Sequence, residues 1–418
     1  MRGESSRPDL EAWEQAVLSV ALRAGAKVLE TMLERVGSGR RAAPLLCTCG
    51  QAMRSVGLRS KQLTTLLGEV SYTRSLYVCP SCGESRVPGD QALDVAGTGF
   101  SPGVRRLMAR AGSRCSFVDA EADLLDYAHV RAGRRDIERV AEALGRQVEA
   151  WMTRQHARPP EVAPPIPILY VSFDGTGCPL RRAELRGRKG KQLDGSAKGR
   201  EVKIGCVFTQ TTVDKDGFPI READSTSYVG GIESSGLFGL RLFNEARSRG
   251  LDRARQVVVL TDGAAYNKTI AQLHFHGATH IIDLFHAREH LKALADLIFP
   301  NAPERAKAWR DRLDEGEVEH ILGEAQQALP SRGARRKAAL KEMRYFHKNT
   351  ERMRYAEFRR RGFFVGSGVI EAGCRTLVGQ RLKQSGMFWS LRGAHAILQL
   401  RCCILSRRFH DFWDDRAA

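Results

Sequence analysis

Twice in this chain an apolar, β-rich run stops at Asp-Gly. The first is Ile168-Leu-Tyr-Val-Ser-Phe-Asp174-Gly-Thr-Gly177; the second is Gln256-Val-Val-Val-Leu-Thr-Asp262-Gly-Ala264, with its Asp 88 positions (262 − 174) after the first. A short run this apolar reads as a buried strand, and an acid and a glycine at its end deliver a carboxylate to the rim of a sheet. Two such strand ends imply one shared site. A third acid, Glu371, lies in Gly366-Ser-Gly-Val-Ile-Glu-Ala-Gly-Cys374, at the start of a helical pattern.

The elements around these acids can be read in order. After the strand at 168–174 comes a basic loop with Arg181, Arg182, Arg186, Arg188, Lys189 and Lys191. The patterning then predicts strands at 202–213 and 227–229, a helix at 237–249, a strand at 257–261, a helix at 267–275, a strand at 280–283 and a helix at 287–298. Three strands, helix, strand, helix, strand is the order of a ribonuclease H-like α/β core. Residues from about 300 to 362 are helical, charged and free of strand patterns, so they read as a helical insertion within a catalytic domain at 168–418.

Upstream, residues 10–36 carry Trp13, Val17, Leu18, Leu22, Val28, Leu29, Met32, Leu33 and Val36 on roughly a helical stripe, stopped by Gly37. It reads as a packing helix, within an N-terminal segment at 1–45. The segment 46–95 holds Cys47-Thr-Cys49-Gly and Cys79-Pro-Ser-Cys82-Gly, with a hairpin pattern at 66–78 between them. Two thiolate pairs, each followed by glycine, suit a tetrahedral zinc site in a zinc-ribbon-like module. The first pair is Cys-x-Cys rather than the usual Cys-x-x-Cys, and free structural thiols are the alternative. Residues 96–157 are helical: Ser116-Phe-Val-Asp119 resembles a capping box, and a further helix begins near Arg134 and Arg135. The pair is compatible with a DNA-reading helix-turn-helix and equally with a plain helical hairpin. Five prolines within 158–167 mark a linker and domain boundary.

Three carboxylates from distant parts of the chain suit two-metal phosphodiester chemistry, because Mg2+ or Mn2+ is a hard cation that prefers such oxygens. Asp174 would bridge two ions, with Asp262 and Glu371 completing the two coordination spheres. Asp283 and His286, in Asp283-Leu-Phe-His286-Ala-Arg-Glu-His290, would lie beside that site, with His286 steering a phosphate or relaying a proton. Alternatively Asp283 caps the following helix and His290 lies on its solvated face. Basic residues recur late, among them Arg335 to Lys337, Arg359 to Arg361, Arg375, Arg381 and Lys383. Interleaved with Tyr345, Phe346, Tyr355, Phe363, Phe364 and Trp389, they suggest a DNA-tracking face, or else solvated helix faces over core aromatics.

Several of these segments resemble bacterial insertion-sequence transposases of the ISKra type. They are Phe173-Asp-Gly-Thr-Gly177, Thr261-Asp-Gly-Ala264, Asp283-x-Phe-His286-Ala-x-Glu-His-Leu291, Arg352-Met-Arg-Tyr-Ala-Glu-Phe358 and Val365-Gly-Ser-Gly-Val-Ile-Glu-Ala-Gly-Cys374 through Leu377-Val-Gly-Gln-Arg-Leu-Lys-Gln-Ser-Gly-Met387. The likeness runs from the cysteine knuckles to the last helix. It implies a DDE transposase with Asp174, Asp262 and Glu371 as its triad. It also implies an Asp-x-x-His at 283 and 286, between the second and third acids.

The bulk numbers agree. Sixty-six Lys+Arg against 48 Asp+Glu leave a net charge of +18 over 418 residues, which favours a polyanionic partner, DNA first. Expected DNA contacts are Arg134, Arg135, Arg186, Arg188, Lys189, Lys191, Arg381 and Lys383. No apolar run reaches the roughly 20 residues of a membrane span, and the start lacks a signal-peptide core. A cytoplasmic, nucleoid-associated protein is expected, with element ends and target DNA as partners and at least a dimer on DNA, although no heptad run supplies a dimer contact. The alternatives are a ribonuclease H-like nuclease or resolvase without strand transfer, and an inert DNA-binding regulator.

Overall fold

The computed structural model describes residues 9–159, 163–185 and 199–417. The basic-loop residues Arg186, Arg188, Lys189 and Lys191 lie outside the described residues. The chain divides into two units, Met1–Leu144 with Arg416–Ala418, and Gly145–Asp415. No described helix is long and apolar enough to cross a membrane.

In the first unit, α1 (Leu10–Val36) starts at Asp9, whose carboxylate accepts the Ala12 amide at 3.0 Å. Its Ala26, Leu29 and Leu33 pack on Leu63, Val70, Tyr72 and Val95. These belong largely to the hairpin of β1 (Arg54–Thr65) and β2 (Gly68–Val78), antiparallel and closed by Leu66-Leu67. β3 (Ser85–Arg86) pairs with the end of β2, and α2 (Pro88–Ala92) follows. The expected N-terminal helix and zinc-ribbon-like segment thus share one small core. α3 (Pro102–Arg114) and α4 (Phe117–Ala128) come next, the latter capped by Ser116 Oγ accepting from Asp119 N at 3.0 Å, at the expected capping box.

The division falls inside α5 (Arg134–His156), not in the proline run. From Gly145 onward this helix is bonded within the second unit: Glu149 meets Arg241 at 2.8 Å and His395 at 2.9 Å, and Trp151 Nε1 donates to Asp415 at 2.8 Å. At the far end of the proline run, Ile166 and Pro167 already belong to a strand.

The second unit is built on a six-stranded mixed sheet: β4 (Ile166–Pro179), β5 (Gly199–Val213), β6 (Pro219–Arg221), β7 (Ser227–Gly231), β8 (Ala254–Thr261) and β9 (Thr279–Ile282). The order is β6-β5-β4-β8-β9, with β7 also on the outer edge of β5. β5 is antiparallel to β4, β6 and β7; β4, β8 and β9 are mutually parallel. α6 (Ser235–Ser248) and α7 (Ala265–His274) cover one face, where Phe238, Leu242 and Ile270 meet Leu169, Val171, Phe173 and Val259. Because strand side chains alternate, Tyr170, Ser172 and Asp174 fall on the other face. Tyr170 stacks there on Phe208, ring centroids 4.8 Å apart.

α8 (Leu284–Ile298) follows β9. Four helices then fill the expected insertion: α9 (Pro303–Glu315), α10 (Val318–Gln327), α11 (Ala334–Asn349) and α12 (Tyr355–Arg360). The chain returns beside its point of departure, where Leu284 N donates to Val365 O at 2.9 Å. α13 (Gly368–Cys374), α14 (Gln380–Leu382), α15 (Leu391–Leu405) and α16 (Phe409–Ala417) complete the order.

Candidate active site and cysteine cluster

Strand register brings the aspartates together. In the β4–β8 ladder Ser172 faces Leu260, an offset of 88 (260 − 172), so Asp174 and Asp262 continue it at the same level. In the β8–β9 ladder Thr261 faces Ile282, an offset of 21 (282 − 261), which sets Asp283 level with Asp262. Three neighbouring parallel strands thus present an aspartate at one edge. Glu371, on α13, lines the same cavity of about 220 Å3 with these three and with His286 and Ser367. All five expected site residues are brought together.

The two Asp-Gly pairs work differently. Gly263 turns the chain with φ 90°, where a side chain would be strained. At Gly175, by contrast, β4 runs on to Pro179 against β5, so Asp174 lies just past the last parallel pair, Ser172 with Leu260, inside a strand that continues. A Cβ at Gly175 would lie 2.4 Å from Glu201 Oε1, so a side chain there would displace the end of the exposed Glu201 side chain.

Each acid has its own holders. Asp174 Oδ1 accepts the Gly175 amide at 2.6 Å. Burial, opposed by that amide and reinforced by the charges of Asp262 and Glu371, raises the Asp174 carboxyl above its ordinary range. Asp262 Oδ1 accepts from Ala264 N at 3.0 Å and from the buried Asn267 Nδ2 at 2.6 Å. Glu371 Oε1 accepts from Ser367 Oγ at 2.7 Å. Asp283, 2% exposed, caps α8 by accepting the His286 amide at 2.6 Å, and its other oxygen accepts the Ser367 amide. One side chain therefore ties β9, α8 and the start of the Glu371 helix. Its capping role and its place in the cavity coexist.

His286 stands at the rim, Nδ1 3.7 Å from Glu289. His290 is not on a solvated face: Nδ1 sits 2.6 Å from Glu342 of α11 and its ring stacks on Tyr345 at 3.9 Å. The Tyr345 hydroxyl in turn reaches Asp262 O at 3.4 Å. Asn267 and Glu342 had no signal in the sequence beyond being polar residues on helices; Tyr345 was read as one of the interleaved aromatics and Glu289 only as part of the motif around His286.

The expected DNA contacts divide. Arg134 and Arg135 are exposed on the first turn of α5. Lys383 is exposed, and its Nζ donates to Thr176 Oγ1 at 2.5 Å, two residues past Asp174. Arg381 is a correction: it is 0% exposed, with its guanidinium 4.8 Å over the Trp389 ring and Nη1 3.4 Å from Met387 Sδ, so it lies inside the core and does not face DNA. The interleaved aromatics Phe346, Tyr355, Phe363 and Trp389 are buried as well.

In the first unit the four expected cysteines converge. Cys47 and Cys82 sulfurs are 3.4 Å apart, those of Cys49 and Cys79 are 3.5 Å apart, and all four lie within 4.8 Å of one another. Tetrahedral ligands at about 2.3 Å from zinc would stand about 3.8 Å apart, so the set can hold Zn2+. The amide of Cys82 does most to bring the Cys79 thiol down to about 6, while the Glu84 carboxylate beside Cys47 pushes that thiol up to about 12 and Cys82 is raised as well. The short Cys-x-Cys spacing is no obstacle, because each knuckle closes through a glycine amide on a cysteine carbonyl, Gly50 on Cys47 and Gly83 on Cys79, both at 3.0 Å. Glu84, which accepts from Thr48 Oγ1 at 2.7 Å and lies 3.0 Å from Cys47 Sγ, is a neighbour the motif did not reveal.

Among the described residues only these cysteines form a set of three or more ligand atoms all within 4.8 Å. Asp174, Asp262 and Glu371 do not form such a set; their hard carboxylate oxygens are of the kind Mg2+ or Mn2+ prefers. A larger hollow of about 490 Å3 in the second unit is a poorer candidate. Its charged groups are already matched, Arg241 with Glu149 and Glu233, and Arg408 and His156 with Glu245. No family model matches this chain, and no curated protein matches it.

Proposed function

We propose that the chain is a DNA transposase of the DDE type with a ribonuclease H-like core, cutting 3′ strands at the ends of an insertion sequence and joining them to target DNA. The observation that carries this reading is the levelling of Asp174 and Asp262 on adjacent parallel strands, with Glu371 lining the same cavity. The strand order β7-β5-β4-β8-β9, antiparallel through β4 and parallel beyond it, is the one such a core requires.

Mg2+, when bound, would activate the attacking hydroxyl and stabilise the leaving oxygen. The chain's own residues then have separable tasks. Asp174 is central, with Asp262 and Glu371 flanking it. Asn267 and the Ala264 amide fix the Asp262 carboxylate, and Ser367 fixes that of Glu371. Lys383 offers an ammonium beside Thr176 for a DNA phosphate. His286, at the rim, exchanges a proton with water or a leaving oxygen. The cysteine module and the exposed Arg134 and Arg135 serve recognition of the element's ends.

The test is joining of a labelled oligonucleotide carrying the element's end into supercoiled plasmid with Mg2+, for the parent and for Asp262→Asn. Joining by the parent and a loss of about 100-fold or more in the variant are expected, since one metal ligand is removed. A variant that joins at the parental rate sinks the assignment. Cutting without joining would identify a nuclease.

A further inference from the structure

The helix α1 has two apolar faces, and only one is used. Ala26, Leu29 and Leu33 lie on the hairpin core. A second row, centred roughly 150° around the helix at 100° per residue, contains Leu10, Trp13, Val17, Val20, Val28 and Met32, each between 57% and 69% exposed. Side chains of this size at that exposure leave on the order of 600 Å2 open, near the roughly 800 Å2 that each partner contributes to an interface of standard size, and at the upper end of what monomers leave in one patch.

We infer that this row is a self-association surface on which α1 of a second copy packs antiparallel. The row runs the length of a 27-residue helix, about 40 Å at 1.5 Å per residue, so its natural complement is another straight helix of similar length. Charge selects the partner and the direction. From Asp9 to Leu22 the helix carries Asp9, Glu11 and Glu14 and no base; from Arg23 to Val36 it carries Arg23, Lys27 and Arg35 against Glu30 and Glu34. A parallel copy would stack acids on acids. A reversed copy sets the acidic half beside the basic half, with Glu14 toward the end that bears Arg35. The inference is independent of the catalytic reading, because it needs neither DNA nor a divalent ion.

The test is the mass of the full-length chain in solution at micromolar concentration, without DNA or Mg2+, by light scattering and sedimentation. The parent is expected at twice the chain mass, and Val17→Glu/Val28→Glu at the mass of one chain with unchanged far-ultraviolet helicity. Glu14→Lys should weaken association tenfold or more, and adding Arg35→Glu to the same chain should restore it. A monomeric parent, a double-Glu variant that still dimerises, or a Glu14→Lys variant as tight as the parent would overturn the inference. So would a failure of Arg35→Glu to rescue.

Discussion

Asp174 sits where ionisation is unwelcome, half-buried and near two other acids. Burial first, then the charges of Asp262 and Glu371, raise its carboxyl, against the pull of the Gly175 amide. The folded chain therefore holds this proton more tightly than the unfolded chain does. The group's contribution to stability is full below its unfolded value, about 3.9, and is lost as pH rises through the folded value. At neutral pH without divalent ions, Asp174→Asn should accordingly melt at a higher temperature than the parent. Millimolar Mg2+ should reverse that order, since the ion stabilises only the form that binds it and the variant lacks the central ligand. Thermal melting with and without Mg2+ measures both halves; an ion-free variant that melts lower than the parent would count against the electrostatic account.

At the scale of elements, the cysteine knuckles make a sharp prediction. The parent should carry about one Zn2+ per chain, and Cys79→Ser should lose most of it and melt several degrees lower, because structural zinc contributes directly to folding. Metal analysis and melting test this; a parent free of zinc and indifferent to a chelator would refute it. These knuckles, like the two aspartate strands, were legible because their signals are local: a spacing in one case, an apolar run with its acid in the other. The 88-residue offset between the aspartates even matches the strand register. What escaped the sequence depends on which face meets which. The apolar residues of α1 read as one stripe, yet Leu29 and Leu33 face the hairpin while Trp13, Val17, Val28 and Met32 face outward. Arg381 looked like one more cation in a basic run, and nothing local announces that Trp389 lies over it. Tyr345 and Glu342 reach the site region from α11, more than 50 positions beyond His290, which they touch.

For the molecule as a whole, the +18 charge bears on how it holds DNA. Affinity for duplex DNA should fall with salt at a logarithmic slope of about −0.9 per phosphate contacted, and Lys383→Ala should reduce that slope by roughly one contact, read by fluorescence anisotropy across a salt series. An unchanged slope would remove Lys383 from the DNA path. The bond from Leu284 to Val365, with the Asp283–Ser367 contact beside it, has a further meaning. The helices α9 to α12 leave the core after α8 and re-enter it at a doorway held by these bonds together with Gln210 Nε2 to Gly362 O at 2.8 Å and Phe364 N to Tyr170 Oη at 3.1 Å. Such a detour behaves as an exchangeable cassette: closing a longer or shorter loop between fixed ends changes the entropy only logarithmically. Changes in the length of α9 and α10 should therefore leave Glu371 in place, whereas α11, which carries Tyr345 to Asp262, is not exchangeable in this sense. The β strands have no such freedom, because adding or deleting a single residue would turn an aspartate to the opposite face of the sheet.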